Sequence, residues 1–243
     1  MPLPPHPPLA QYENALGRRQ EFVNGLFDSG APYYDRIVSA MSFGTGNKYR
    51  RDALDRNGLV PGMRVLDVAT GTGLVARAVS EMLGPGGRVV GLDPSRGMLK
   101  ESQRAGGVAL VQSVGEALPF ADKTFDFLTM GYALRHVPDL ERAFREYRRV
   151  LRPGGRVLIL EISRPESALG RAIASLYFGR FVPLATRIGT GSPVAQRMMK
   201  YYWDTIEQCV PAEAILGTLR DAGFGDANRY LYRGLFSEYS GRA

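Results

Sequence analysis

From residue 64 onward the chain alternates between two hydrophobic rhythms. Short apolar runs rich in β-branched residues are each followed by a stretch with helical spacing. The first run, RVLDVA, predicts a strand over 64–69, and LVARAVSEML predicts a helix over 74–83. The same alternation predicts strands at 88–92 and 108–111, with a helix at 95–105 between them. TFDFLTMG reads as a strand ending near Gly131, LERAFREYRRVL as a helix over 140–151, and RVLILEIS as a strand over 156–163. In the 140–151 helix, Leu140, Ala143, Phe144, Tyr147, Val150 and Leu151 share one face, with arginines mostly on the other. The run ANRYLYR-GLFSEYS has the period of two of a strand pair. Together these segments predict an α/β fold: a seven-stranded, mostly parallel sheet with helices on both faces.

Three segments lie outside the alternation. MPLPPHPPLA, residues 1–10, reads as a mobile proline-rich tail. Residues 11–57 read as a mostly helical, aromatic-rich cover, broken near Gly30-Ala-Pro32 and again near Gly44-Thr-Gly46. Residues 164–210 interrupt the strand–helix order with a Tyr-, Phe- and Met-rich insertion. An insertion of this length placed after the fifth strand leaves the sheet at the edge where open α/β sheets bind ligands, as a lid would. A further helix is expected over 211–222. Residues 11–243 thus form one domain with no internal repeat.

The candidate chemistry sits in RVLDVATGTG. Gly71, Thr72 and Gly73 fall at a strand-to-helix turn, where backbone N–H groups and a helix N-terminus can approach a ligand. Asp93 ends the second strand, a position suited to holding two ribose hydroxyls. Gly71-Thr-Gly73-Leu-Val-Ala76 also fits the G-x-G-x-x-G/A dinucleotide pattern, which leaves an NAD oxidoreductase as an alternative. Against it, Asp67 would repel a pyrophosphate and attract a cationic amino group. S-adenosylmethionine carries an ammonium, a sulfonium and a ribose but no phosphate, and it matches both carboxylates.

Bulk properties narrow the field further. The chain has 243 residues and 44% hydrophobic content, ordinary for one globular domain. A single cysteine, Cys209, excludes an internal disulfide, and with only two histidines no metal centre is expected. The net charge of +7 comes from arginine, since Lys48, Lys100, Lys123 and Lys200 are the only lysines. No RNA-binding motif or dense basic tract accompanies that charge, so nucleic acid is not expected as a partner. No apolar run reaches the ~18 residues of a membrane span, and the start has no signal-peptide pattern. A cytoplasmic protein is expected, with peripheral contact to a membrane face left open, as is a homodimer.

Longer motifs point to a family. SVGEALPFADKTFDFLTMGYALRHV, with RVLDVATGTG, GLDPS and LRPGGRVLILEIS, resembles the class I S-adenosylmethionine-dependent methyltransferases, which have a Rossmann-like fold. More narrowly, the chain is similar to the UbiE-type quinone C-methyltransferases of ubiquinone and menaquinone biosynthesis. YDRIVSAMSFG at 34–44 and the aromatic residues around Tyr177, Pro183 and Tyr202 support that likeness. The resemblance implies S-adenosylmethionine as cofactor. Asp67, Gly71, Thr72 and Gly73 would surround its methionine portion, Asp93 would hold the ribose, Met98, Val114, Gly115 and Glu116 would meet the adenine, Gly131 would lie near the sulfonium, and Ala69 and Pro94 would also contact the cofactor. It also implies an apolar quinol or phenolic acceptor, with Arg135 stabilising a phenolate or orienting a water, and Tyr34 closing over the site.

The chain departs from the family pattern at Val38 and Val114, where an Asn and a polar Asn or Asp are usual, at Tyr49, where a Trp is usual, and at His136, which replaces an Asn. An imidazole titrating near neutrality makes His136 a candidate general base, with a structural hydrogen-bonding role as the alternative. Val38 and His136 leave open an O- or N-methyltransferase of soluble phenols or amines; a protein that holds S-adenosylmethionine without turning it over is a further alternative, against which the intact Asp67, Gly71, Gly73 and Asp93 argue.

Overall fold

The computed structural model describes residues 3–9, 11–12 and 19–243. Residues 1, 2 and 10 of the expected tail and 13–18 of the expected cover lie outside the described residues.

The strand–helix alternation forms as the pattern predicts. Strands β1 (Arg64–Val68), β2 (Arg88–Asp93), β3 (Ala109–Gln112), β4 (Phe125–Gly131) and β5 (Leu151–Ile162) are parallel. The strands β6 (Gly225–Tyr232) and β7 (Phe236–Arg242) close the sheet as an antiparallel pair, giving the order β3-β2-β1-β4-β5-β7-β6. Strand β5 starts at Leu151 rather than 156, because Leu151 already pairs with Phe125 before the register shifts.

Helices α1 (Arg19–Met41), α2 (Gly46–Arg56), α3 (Leu74–Leu83), α4 (Arg96–Ala105) and α5 (Leu140–Val150) surround the first strands. The insertion supplies α6 (Ala168–Ala174), a wider π-type turn over Ser175–Phe181, α7 (Val182–Thr190) and α8 (Pro193–Glu207). Helix α9 (Ala212–Asp221) precedes the strand pair. One core joins the sheet to α5 and α9 around Phe144, Tyr147 and Leu219; a second joins it to α2 and α3 around Leu54 and Val79. A third core lies in the lid, where Met198, Tyr201 and Trp203 of α8 meet Val23 and Leu26 of α1.

Two expectations change. The helix expected to break at Gly30-Ala-Pro32 runs on from Arg19 to Met41. A proline inside a helix forfeits one backbone bond, but here α1 is held from outside. Gly30 packs so tightly on Met198 that a Cβ would come within 2.3 Å of its sulfur. The described part of the proline-rich start lies against the domain: Leu140 N–H donates to the Leu3 carbonyl and Val210 N–H to the Pro5 carbonyl. Leu9 and Tyr12 are buried in the lid core, and the Tyr12 hydroxyl donates to Asp204.

Candidate functional site

Strand β1 ends beneath a turn of left-handed residues: Ala69 at φ 54°, Gly71 at 57° and Gly73 at 85°. Ala69 and Tyr132 (φ 62°), at the tips of β1 and β4, hold this conformation without being glycine, a strain typical of ligand-binding positions. Asp67 lies fully buried within β1. The register pairs it with Thr129 of β4, whose hydroxyl donates to it at 2.6 Å, and the Thr70 hydroxyl donates to its other oxygen at 2.7 Å. Burial pushes the Asp67 carboxyl up to about 6, while the two hydroxyls pull it part of the way back. Among the described residues no cation forms an ion pair with it.

Asp93 ends β2 and accepts the Gly71 N–H and the Ser95 N–H, each at 2.8 Å. Burial pushes it too up to about 6, despite both N–H bonds, and the Asp67 and Asp28 charges add to the rise. A carboxylate has about four acceptor directions, so it keeps capacity for two hydroxyls. A cavity of about 100 Å³ opens beside it, lined by Pro94, Met98, Val114, Gly115 and Glu116. Gly115 is required by close packing, because a Cβ there would come within 2.8 Å of the Tyr147 hydroxyl. Burial raises the Glu116 carboxyl above its ordinary value, and its Oε1 has no partner among the described residues.

Helix α1 covers this loop, tied down by two of its carboxylates. Asp28 accepts the Ser95 hydroxyl at 2.6 Å and the Gly97 N–H at 2.7 Å; Asp35 accepts the Thr72 hydroxyl and pairs with Arg77. Gly97 permits the crossing, since a Cβ there would sit 2.5 Å from the Asp28 carbonyl oxygen.

A second cavity, of about 780 Å³, extends from Asp67, Thr70 and Thr72 towards the lid and β7. Its far wall is aromatic, built from Tyr177, Phe178, Tyr202, Tyr232 and Phe236. Tyr34, Ala69, Gly71, Gly131 and Tyr132 line both cavities, so the two meet over the tips of β1 and β4. Burial holds the Tyr34 and Tyr132 phenols far above their usual 10, so both remain hydrogen-bond donors. Arg50 of α2 also lines the large cavity; it is 5% exposed, and its Nε has no partner among the described residues. Its charge lowers the Asp67 carboxyl and both phenols.

Of the residues singled out from the sequence, Tyr34, Asp67, Ala69, Gly71, Thr72, Asp93, Pro94, Met98, Val114, Gly115, Glu116, Gly131 and His136 line one cavity or both. Gly73 and Arg135 do not. Gly73 shapes the turn from behind, with a Cβ position 2.5 Å from the Ser102 hydroxyl. Arg135 is fully buried in an ion pair with Glu161 of β5, and its Nε donates to the Thr205 hydroxyl at 3.2 Å. Its guanidinium lies 4.4 Å from the centre of the Tyr202 ring, so it supports the cavity wall from behind. His136 lines the smaller cavity, packed between Phe27 and Tyr201. Burial, then the Arg135, His6 and Arg19 charges, holds its imidazole well below 6.5, and neither ring nitrogen has a partner among the described residues. Near neutral pH it is uncharged and a weak base.

Arg50, Thr129 and Tyr132 are site residues that sequence reasoning missed. Thr129 had a signal, because a polar residue inside a buried strand calls for a partner. Arg50 had none, since the charged run from Lys48 to Arg56 reads as a solvated helix face.

The sequence model of the ubiE/COQ5 methyltransferase family matches residues 15–236. The chain is 36% identical over 214 residues to the ubiquinone/menaquinone biosynthesis C-methyltransferase UbiE of Shewanella sp. (strain ANA-3), covering 85% of this chain and 84% of that protein. Its likeness to the UbiE of Klebsiella pneumoniae (strain 342) is 35%, over 86% and 85% of the two chains. In structure it resembles a SAM-dependent methyltransferase from Aquifex aeolicus (TM-score 0.63, 19% identity, 86% and 97% coverage). It resembles the [4+2]-cyclase SpnF to a similar degree (TM-score 0.64, 18% identity, 92% and 96% coverage). At these identities the structural likeness speaks for the fold alone.

Proposed function

Because this chain belongs to the ubiE/COQ5 methyltransferase family, we propose that it transfers a methyl group from S-adenosylmethionine to a ring carbon of an apolar hydroquinone. The observation that carries this reading is the pair of joined cavities. The smaller lies beside the Asp93 carboxylate with Met98, Val114 and Gly115 in its wall, a lining that suits a ribose and an adenine edge; the larger begins at a carboxylate and ends in aromatic side chains.

The residues present fit the cofactor. Asp67 would take the ammonium and thereby regain the charge partner that its burial lacks. Arg50, with its orphaned Nε, would take the methionine carboxylate. Asp93 would hold the ribose hydroxyls, and Met98 and Val114 would flank the adenine. When bound, S-adenosylmethionine supplies an electrophilic methyl carbon on a sulfonium and departs as S-adenosylhomocysteine.

The chain's own contribution is alignment and charge stabilisation. The acceptor hydroxyl would first give its proton to water; the resulting phenolate would supply the ring-carbon electron pair that forms the new C–C bond as the S–CH₃ bond breaks, and the methylated carbon would then lose its proton to water, which restores the aromatic ring. Tyr34 and Tyr132, held protonated, would donate hydrogen bonds to the phenolate oxygen. Arg135 acts as a positioning residue through Tyr202. His136 stands on the cofactor side and is not the base.

The test is a product analysis by mass spectrometry, with purified protein, S-adenosylmethionine and a reduced demethylated quinol in liposomes, beside a panel of soluble phenols and amines. The expected result is a ring-methylated quinol with an equal amount of S-adenosylhomocysteine. Methylation confined to the soluble acceptors, on oxygen or nitrogen, would overturn the quinol assignment while keeping the cofactor.

A further inference from the structure

We infer that the outer face of the lid, from Leu169 to Ile188, is a docking surface for an anionic lipid bilayer. The lid leaves six large apolar side chains in solvent: Leu169, Ile173, Leu176, Phe181, Leu184 and Ile188, each at least 56% exposed. Single exposed apolar residues are ordinary, but a continuous row of them marks a contact surface.

The row is continuous because of the local geometry. Residues three and four apart share a face of an α-helix, which aligns Leu169 with Ile173 and Leu176, and Phe181 with Leu184 and Ile188. The wider turn over Ser175–Phe181 bridges the five-residue step from Leu176 to Phe181, so the two halves stay in register. Ala174, Phe178, Val182 and Thr186 form the complementary row and face the protein. The apolar face is therefore surplus to the core.

Charge selects the partner. Between Glu166 and Asp204 the sequence contains no Asp or Glu, but it contains Arg171, Arg180, Arg187, Arg197 and Lys200. Arg171, Arg180 and Arg187 are exposed on the segment that carries the apolar row. Among the described residues none of the three is ion-paired. A helical stretch with apolar residues on one side and unpaired arginines beside them fits an interface of acyl chains and anionic headgroups.

The position of the face supplies the second argument. Gly170 and Ile173 of α6 also line the large cavity, as does Phe43, 82% exposed. A bilayer on this face would meet the cavity opening, so an apolar acceptor could pass between them without crossing water. Among the described residues no helix is long and apolar enough to cross a membrane, so the contact is peripheral.

The experiment is sedimentation of the full chain with vesicles containing no quinol, which separates this inference from the acceptor assignment. Vesicles of phosphatidylcholine with phosphatidylglycerol should bind about tenfold or more tightly than phosphatidylcholine alone, with binding weakened by salt. Leu184→Gln/Ile188→Gln should lower vesicle binding about tenfold or more, and Arg171→Gln/Arg180→Gln/Arg187→Gln should abolish the preference for anionic lipid. Neither set lies in a cavity wall, so the melting temperature and turnover of a soluble acceptor should be retained. Absence of wild-type binding to anionic vesicles, or unchanged binding by both variants, would overturn the inference. So would a chain that dimerises through this face, with the Leu184/Ile188 variant monomeric and the wild type indifferent to lipid.

Discussion

The Asp67 carboxylate should make the ligand-free protein less stable than it could be, and Asp67→Asn tests this directly. In the unfolded chain this group ionises near its usual 3.8; burial in β1 moves it to about 6. The folded form therefore holds a proton that the unfolded form has already released across that window. The stability linked to that proton is fully present below pH ~3.8 and is lost as pH rises through about 6. Above that, the ionised group costs about 3 kcal/mol by linkage. Asparagine keeps the shape without the charge, and the Thr70 and Thr129 hydroxyls can turn to serve an amide. At pH 7.5 the ligand-free variant should melt above wild type, by about 6–12 °C at ~2–4 °C per kcal/mol for a chain of this size. The gap should close towards pH 4.5.

Ligand reverses the order. Removing one partner of a buried charge pair costs about 3–5 kcal/mol, so the variant should lose S-adenosylmethionine affinity by about a hundredfold or more. At a concentration a hundred times the wild-type Kd, the cofactor should stabilise the wild type by about 2.7 kcal/mol and the variant by about 0.4 kcal/mol or less. Thermal melts of both proteins at pH 4.5, 6 and 7.5, with and without S-adenosylmethionine, read all of this. A ligand-free variant that melts below wild type by the same margin at every pH would refute the reasoning, because the carboxylate would then be a net stabilising group in the fold.

Arg50→Met should raise the KM for S-adenosylmethionine about tenfold to a hundredfold with little loss of melting temperature, since it removes an under-satisfied buried cation; titration calorimetry measures the affinity directly. Arg135→Met should destabilise by about 3–5 kcal/mol, and Arg135→Met/Glu161→Met should recover much of that loss in denaturant melts; an inactive but fully stable single variant would return Arg135 to direct contact with the acceptor. His136→Asn should leave the shape of the kcat profile between pH 6 and 8 unchanged, because the wild-type imidazole does not titrate there; loss of a near-neutral inflection would restore it as a base.

The legible part of this protein is the part whose information is local. Strands β1 to β5 and their helices follow from a repeating pattern, and Asp67, Gly71 and Asp93 are readable because strand tips and glycine turns have fixed positions in such a sheet. What stayed hidden depends on residues far apart in sequence. The continuity of α1 through Pro32 rests on Met198 of α8 and on the Asp28 and Asp35 ties. Arg135 stands in a motif that points to the acceptor, but its partner is Glu161, on the next strand of the sheet.

That pairing had a sequence signal of its own. LILEIS places an acid inside an apolar strand, and an acid so placed needs a buried cation. The same reasoning applies to Asp67 in RVLDVA, with the opposite outcome. Glu161 finds Arg135 within the chain and belongs to the scaffold. Asp67 accepts from two hydroxyls, has no ion-pair partner among the described residues, and keeps its perturbed carboxyl at the floor of a cavity. Two buried acids on parallel strands of one sheet thus differ by one criterion, whether the fold itself supplies the opposite charge. Where it does not, the missing charge is the one a ligand must bring.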